Sequence, residues 1–305
     1  MSLAAGQAGP FFLALAAALL FAIGMHCINA GLRHTDGGSG ALVEIATTAL
    51  LYWLLAPFLL QAHYWESPAV WLFAVLGLFR PVISANLSIV GVRHLGPTLS
   101  STLASTTPIF AAVLGVWLLG EAVSLPLALG IALSMSGVML LTRRPGKDEA
   151  TADMAGGERR WPLWALAMPV GAAAIRSTSH VFTKIGLAML DSPWFAALLA
   201  YSVSAVMALL AVLAGNRRRG QALPRFNRGH LWFALAGGMH ALAVLSLNTA
   251  LLHGQVVLVT PVVSTYPFFT LLLSLLVFRR ERITGAMIAG MAAVVAGVML
   301  IAATR

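Results

Sequence analysis

The sequence predicts an all-α integral membrane fold of ten transmembrane helices, arranged as two inverted five-helix repeats. Three observations predict it: an apolar composition, basic residues confined to alternate connections, and a sequence pattern that occurs twice. Of the 305 residues, 59% are hydrophobic and 10% charged, and the mean hydropathy is +0.88. A soluble domain carries about a quarter charged residues. The net charge of +9 does not point to nucleic acid, because the basic residues lie between apolar runs and form no stripe on one face. Cys27 is the sole cysteine and lies within an apolar run, so the sequence predicts neither a disulfide framework nor a Cys/His metal site. No Lys or Arg precedes the first apolar run, so it reads as a span rather than a cleaved signal.

A helix needs about 20 apolar residues to cross the hydrocarbon core. Ten runs meet that need: 10–32, 41–62, 69–92, 97–119, 125–143, 162–187, 194–214, 229–252, 257–278 and 284–302. Residues 143–160 form a polar connection near the midpoint. The expected organisation is a first repeat over 1–143, a linker over 144–160 and a second repeat over 161–305. Fifteen of the 19 Lys and Arg residues fall on one side of the alternation, and only Arg305 on the other. The positive-inside rule makes the first side cytoplasmic. Both termini and the single-residue side then face the periplasm or cell exterior, with the chain in a bacterial inner membrane.

The repeat is clearest at the end of each half. His94 and Pro108 match His253 and Pro267 at an offset of 159; Glu121, Gly130 and Gly137 match Glu281, Gly290 and Gly297 at 160. Five spans per half is an odd number, so the second half enters the membrane from the opposite side. Such inverted repeats place substrate sites near the midplane, where the halves meet.

These residues resemble the drug/metabolite transporter superfamily in its ten-helix EamA-type branch. The resemblance rests on Ser105-Thr106-Thr107-Pro108, Gly120-Glu121, Gly130 and Gly137, and on Thr265-Tyr266-Pro267, Arg280-Glu281, Gly290 and Gly297. Lys184-Ile185-Gly186 and its neutral counterpart Asn29-Ala30-Gly31 fit the first helices of that family. Glu44 stands where an Arg is common at the start of the second helix, a departure from the pattern. The resemblance implies a small-metabolite carrier, most similar to the YddG-type exporters of aromatic and other neutral amino acids.

Candidate site residues follow from what transport needs: a polar path and backbone that bends. Pro108 and Pro267 lie inside predicted spans, where Pro removes a helical hydrogen bond. Ser101, Thr106 and Ser264 surround them, and the matched pair reads as gate hinges. Arg80, Arg176 and Lys184 lie within spans, where charge is costly and faces a cavity or a partner. The two arginines either pair within the protein or bind a substrate carboxylate; Lys184 either snorkels or joins them. His26, His180 and His240 read as packing residues or, together, as a proton relay. Glu44 reads as a structural partner rather than a proton carrier. Asn29 reads as a cavity group, Asn86 and Asn248 as cavity or interhelical groups, and Trp164 and Tyr266 either stack on an aromatic substrate or sit at the membrane interface. Glu121 and Glu281 are expected to cap local turns. No phosphate loop, catalytic constellation or cofactor motif is present. The expected partners are a small-molecule substrate and the lipid bilayer, with no cofactor, metal or nucleic acid and a monomeric state.

Overall fold

The computed structural model describes residues 2–80, 106–142, 163–219, 226–276 and 284–304, with eight isolated positions between 83 and 104. Among the described residues there is no strand. The helices are α1 Ser2–Gly31, α2 Gly37–Leu59, α3 Ala69–Phe79, α4 Thr107–Leu119, α5 Leu125–Thr142 and α6 Leu163–Met189. They continue as α7 Pro193–Arg219, α8 Arg228–His253, α9 Val256–Val263, α10 Tyr266–Leu276 and α11 Gly285–Ala303. Each of the ten expected spans contains described helix. The ninth is split into α9 and α10, and much of the third and fourth lies outside the described residues. Stretches over Ala8–Gly31, Gly37–Leu59, Pro193–Arg217, Arg228–His253, Val256–Leu276 and Gly285–Ala303 are long and apolar enough to span a membrane. Helices suit that solvent because they satisfy every backbone polar group internally.

Local chemistry sets the helix ends. The Asp36 carboxylate accepts from the Gly38 and Ser39 amides, both at 2.9 Å, and starts α2. Asn227 forms a capping box with His230 at the start of α8. Gly120, at φ 65°, ends α4 in the left-handed region that glycine tolerates.

Packing shows the two-fold relation directly. On α5 and α11, a Cβ added at Gly137 would lie 2.7 Å from the Gly290 carbonyl oxygen. One added at Gly297 would lie 2.8 Å from that of Gly130. Moving up one helix means moving down the other, so the two are antiparallel and touch backbone to backbone. The pairs Gly130–Gly297 and Gly137–Gly290 exchange under the offset of 160.

A matching exchange holds for α3 and α8, with their partner helices α2 and α7 in register at an offset of 156. Gly77 abuts the Ala200 carbonyl, and Ser204 Oγ donates to the Gly77 carbonyl at 2.7 Å. Gly237 abuts the Glu44 carbonyl, and Thr48 Oγ1 donates to the Gly237 carbonyl at 2.9 Å. Phe73 packs against Gly186, and Phe233 against Gly31 and Gly40. Small residues let these helices approach closely, which drives association where lipid supplies no hydrophobic force between helices.

The fourth and ninth spans break alike. Thr106 donates through both its amide and its hydroxyl to the Leu103 carbonyl, at 3.2 and 2.7 Å. Thr265 does the same to Val262, at 3.1 and 2.6 Å. Pro108 and Pro267 then fall in the first turns of α4 and α10. This corrects the expectation of prolines in helix interiors: each begins a new segment, where its missing N–H costs nothing and its fixed φ favours the helix.

Candidate functional site

The broken spans face a cavity of about 310 Å³ in the middle of the bundle. Its wall comes from both halves. Phe21 and Met25 of α1, Arg80, Thr107 and Pro108 of α4, and Ser134, Met135 and Val138 of α5 form one part. Arg176 and His180 of α6, His240 of α8, and the turn Ser264-Thr265-Tyr266 with Pro267 form the other. Arg176 lies 13 residues from each end of α6, or roughly 20 Å at 1.5 Å per residue. That places the cavity near the midpoint of α6. All of α9, on its rim, is buried.

Arg80 reaches the wall because α3 stops there. Its backbone is extended, with φ −131° and ψ 133°, as expected for a residue before Pro81. The Ser204 hydroxyl shares its single proton between the Gly77 carbonyl and the freed Arg80 carbonyl, at 2.7 and 2.8 Å. Tyr201 and Arg176 are electrostatic neighbours of Arg80, and Tyr266 of Arg176. Two guanidinium groups thus come to one cavity from opposite repeats. No Asp or Glu lines it among the described residues. Two fixed cations, hydroxyl groups and an apolar remainder suit a small solute with an anionic group.

Of the residues the sequence singled out, Arg80, Arg176, His180, His240, Ser264, Tyr266, Pro108 and Pro267 stand on this wall. Thr106 sits at the break beside it, with its hydroxyl turned back to Leu103. The others lie elsewhere. His26 Nε2 is 2.9 Å from the Thr270 carbonyl, tying α1 to α10. Asn29 is exposed on α1. Trp164 is also exposed, with His94 edge-on at 4.8 Å. Asn248 donates to the Pro193 carbonyl at 3.1 Å and joins α8 to the start of α7. Asn86 and Ser101 lie outside the described residues, as does Glu281.

Lys184 neither snorkels nor reaches the cavity. Its ammonium lies 3.1 Å from Glu121 Oε1 and donates to the Gly254 carbonyl. Glu121 does not cap its own turn. Its two oxygens accept from the amides of Val256 and Val257, at 2.8 and 2.9 Å, capping α9 in the other repeat.

Sequence reasoning missed Phe21, Met25, Ser134, Met135 and Pro261 on the wall. Pro261, six residues before Pro267, was a usable signal for broken helix; the apolar residues carried none. It also left Glu44 without its partner, His240.

The family model described as the EamA-like transporter family matches residues 9–143 and again residues 162–303. Among solved structures, 23 chains match. One, a protein crystal structure, aligns over 96% of both chains with a TM-score of 0.76 and 16% identity. At that identity the likeness shows the fold alone. No curated protein matches the sequence.

Proposed function

This chain belongs to the EamA-like transporter family, a family of multi-pass membrane transporters of small molecules, and on that premise we propose that it exports aromatic and other neutral amino acids by alternating access. The observation that carries this reading is the cavity between the repeats, with one arginine from each on its wall. In it Arg80 and Arg176 take the substrate carboxylate, Ser264 and Tyr266 bond its polar groups, and Phe21 and Met25 meet its side chain. The volume sits at the lower end of the roughly 300–1,000 Å³ typical of small-molecule pockets.

The repeats over 1–143 and 161–305 would rock about this site, joined by a cytoplasmic linker over 144–160. The 15 Lys and Arg residues on one side support a bacterial inner-membrane protein with both termini outside. It works as a monomer, since each wall of the cavity comes from one chain.

Proteoliposomes carrying the chain should move phenylalanine and leucine down their gradients, and Arg80→Gln should reduce that flux several-fold. Flux of nucleosides or other metabolites without amino acid flux would overturn the substrate and keep the transporter. The paired breaks are the proposed hinges. Pro108→Ala and Pro267→Ala restore an amide that lets each span run on as continuous helix. Each should slow flux several-fold while shifting the melting temperature little, because Ala is also accepted in a first turn. Unchanged flux in both variants would remove the hinges.

A further inference from the structure

Glu44 stands just behind the cavity wall, held by an imidazole that is part of it. Glu44 Oε1 on α2 is 2.7 Å from His240 Nδ1 on α8, and the two side chains are 17% and 11% exposed. The pair joins the first repeat to the second. At this distance it holds one shared proton: an imidazole N–H donated to a carboxylate, or the reverse.

The other ring nitrogen fixes the state of the pair. His240 Nε2 is buried and has no hydrogen-bond partner among the described residues. It lies against α1, where Gly24 makes its room: a Cβ there would sit 2.3 Å from it. Phe21 meets the same ring edge-on at 5.3 Å. The arrangement that leaves no buried N–H without an acceptor has Nδ1 donating to Glu44 and Nε2 presenting its lone pair. Adding a proton there requires α1 to shift on α8 and uncover it. Those helices come from opposite repeats, so a rocking motion of the halves is the motion that exposes the lone pair.

The surrounding charges are asymmetric. Arg80 occupies in the first repeat the position of His240 in the second, 160 residues apart, as Gly77 and Phe73 match Gly237 and Phe233. Ala200, facing Gly77, stands where Glu44 faces Gly237. One repeat therefore carries a fixed cation where the other carries a titratable one with its own acid. Other titratable or charged groups on the packed elements are His26 and Cys27 on α1, Tyr52 on α2, whose hydroxyl donates to the Ala241 carbonyl at 2.6 Å, Arg176 and His180 on α6, Tyr201 on α7 and Tyr266 on α10. Arg80, at the end of α3, completes the set. Tyr201 is an electrostatic neighbour of both Glu44 and Arg80.

We propose that Glu44 and His240 form a proton-binding site, loaded and emptied through His240 Nε2 as α1 moves on α8, that couples solute flux to protons. Uptake adds one proton to the Nε2 lone pair and takes the pair from one net negative charge to none. The proposal rests on the transporter reading but not on the choice of substrate.

The test uses proteoliposomes with phenylalanine and a pH-sensitive dye inside. For the intact chain, efflux should change the lumenal pH, and an imposed pH gradient should change efflux several-fold. Glu44→Gln should keep phenylalanine counterflow and lose both responses, and His240→Gln should lose both responses as well. Wild-type efflux indifferent to pH, or variants that keep the response, would overturn the site while leaving transport intact. Where phenylalanine is not carried at all, the substrate reading falls. The site is then read by infrared titration of purified protein, which should show carboxyl and imidazole bands that Glu44→Gln and His240→Gln remove. A titration unchanged by either variant overturns the proposal.

Discussion

Replacing Glu121 with Ala should lower the melting temperature of the purified protein more than any other single polar substitution in the described bundle. Glu121 follows the left-handed Gly120, and its carboxylate lies between Gly115 of α4, where an added Cβ would sit 3.0 Å from Oε2, and the second repeat. There it is buried, with both oxygens on the first amides of α9 and one on Lys184. Helix N-termini favour such a carboxylate, since their amides are otherwise unpaired and the helix dipole adds to the attraction. Alanine orphans two buried N–H groups and leaves Lys184 with only the Gly254 carbonyl. Breaking a buried pair from one side costs about 3–5 kcal/mol.

Lys184→Met should cost less, because Glu121 keeps both backbone bonds and its place at the helix end. The double variant should melt above Glu121→Ala alone, since no ammonium is then left unpaired. Glu121→Ala melting like the wild type, or a double variant no better than the single, would defeat this account. The network also ties the α4–α5 turn to α6 and to the α8–α9 connection. Under alternating access these bonds have to open.

The spans were legible because hydropathy and Lys/Arg placement act over whole segments. The repeat was legible because Gly, Pro and Glu in register report close approach, chain breaks and caps. Long-range partners were not. Nothing in the sequence of α2 says that Glu44 meets His240, nearly 200 residues on. Glu121 looked like a local cap because a carboxylate after a glycine turn usually is one. The prolines were found, but their meaning changed: a Pro within an apolar run signals a kink or a fresh start, and the Thr106 and Thr265 turns decide for the latter. The two arginines were singled out by cost alone. Their meeting at one cavity depended on which faces α3 and α6 present, and that is set by Gly77 and Gly186 against their neighbours.

Gly297→Val should separate the two terminal helices of the repeats. A Cβ at Gly297 would lie 2.5 Å from the Ser134 amide nitrogen, 2.8 Å from the Gly130 carbonyl oxygen and 2.9 Å from Ser134 Cα. All three are backbone atoms of α5, so no side chain can rotate away. The helices themselves have to part, and the facing Gly137–Gly290 contact parts with them. Overpacking a close contact typically costs about 1–3 kcal/mol. Valine belongs at or above the upper end here, because its branched methyl groups extend the clash. Gly215 is the control: it lies inside α7 with nothing within 4 Å of an added Cβ. Gly215→Ala should leave stability unchanged or raise it by up to about 1 kcal/mol, from helix propensity alone. The contrast tests the symmetry as well as the packing. Gly137→Val stands at the repeat-equivalent position and meets the Gly290 carbonyl and the Val294 amide nitrogen, each at 2.7 Å. It should therefore destabilise the protein by a similar amount. A large effect from one variant with none from its counterpart would mean that the two helices do not meet about a shared axis.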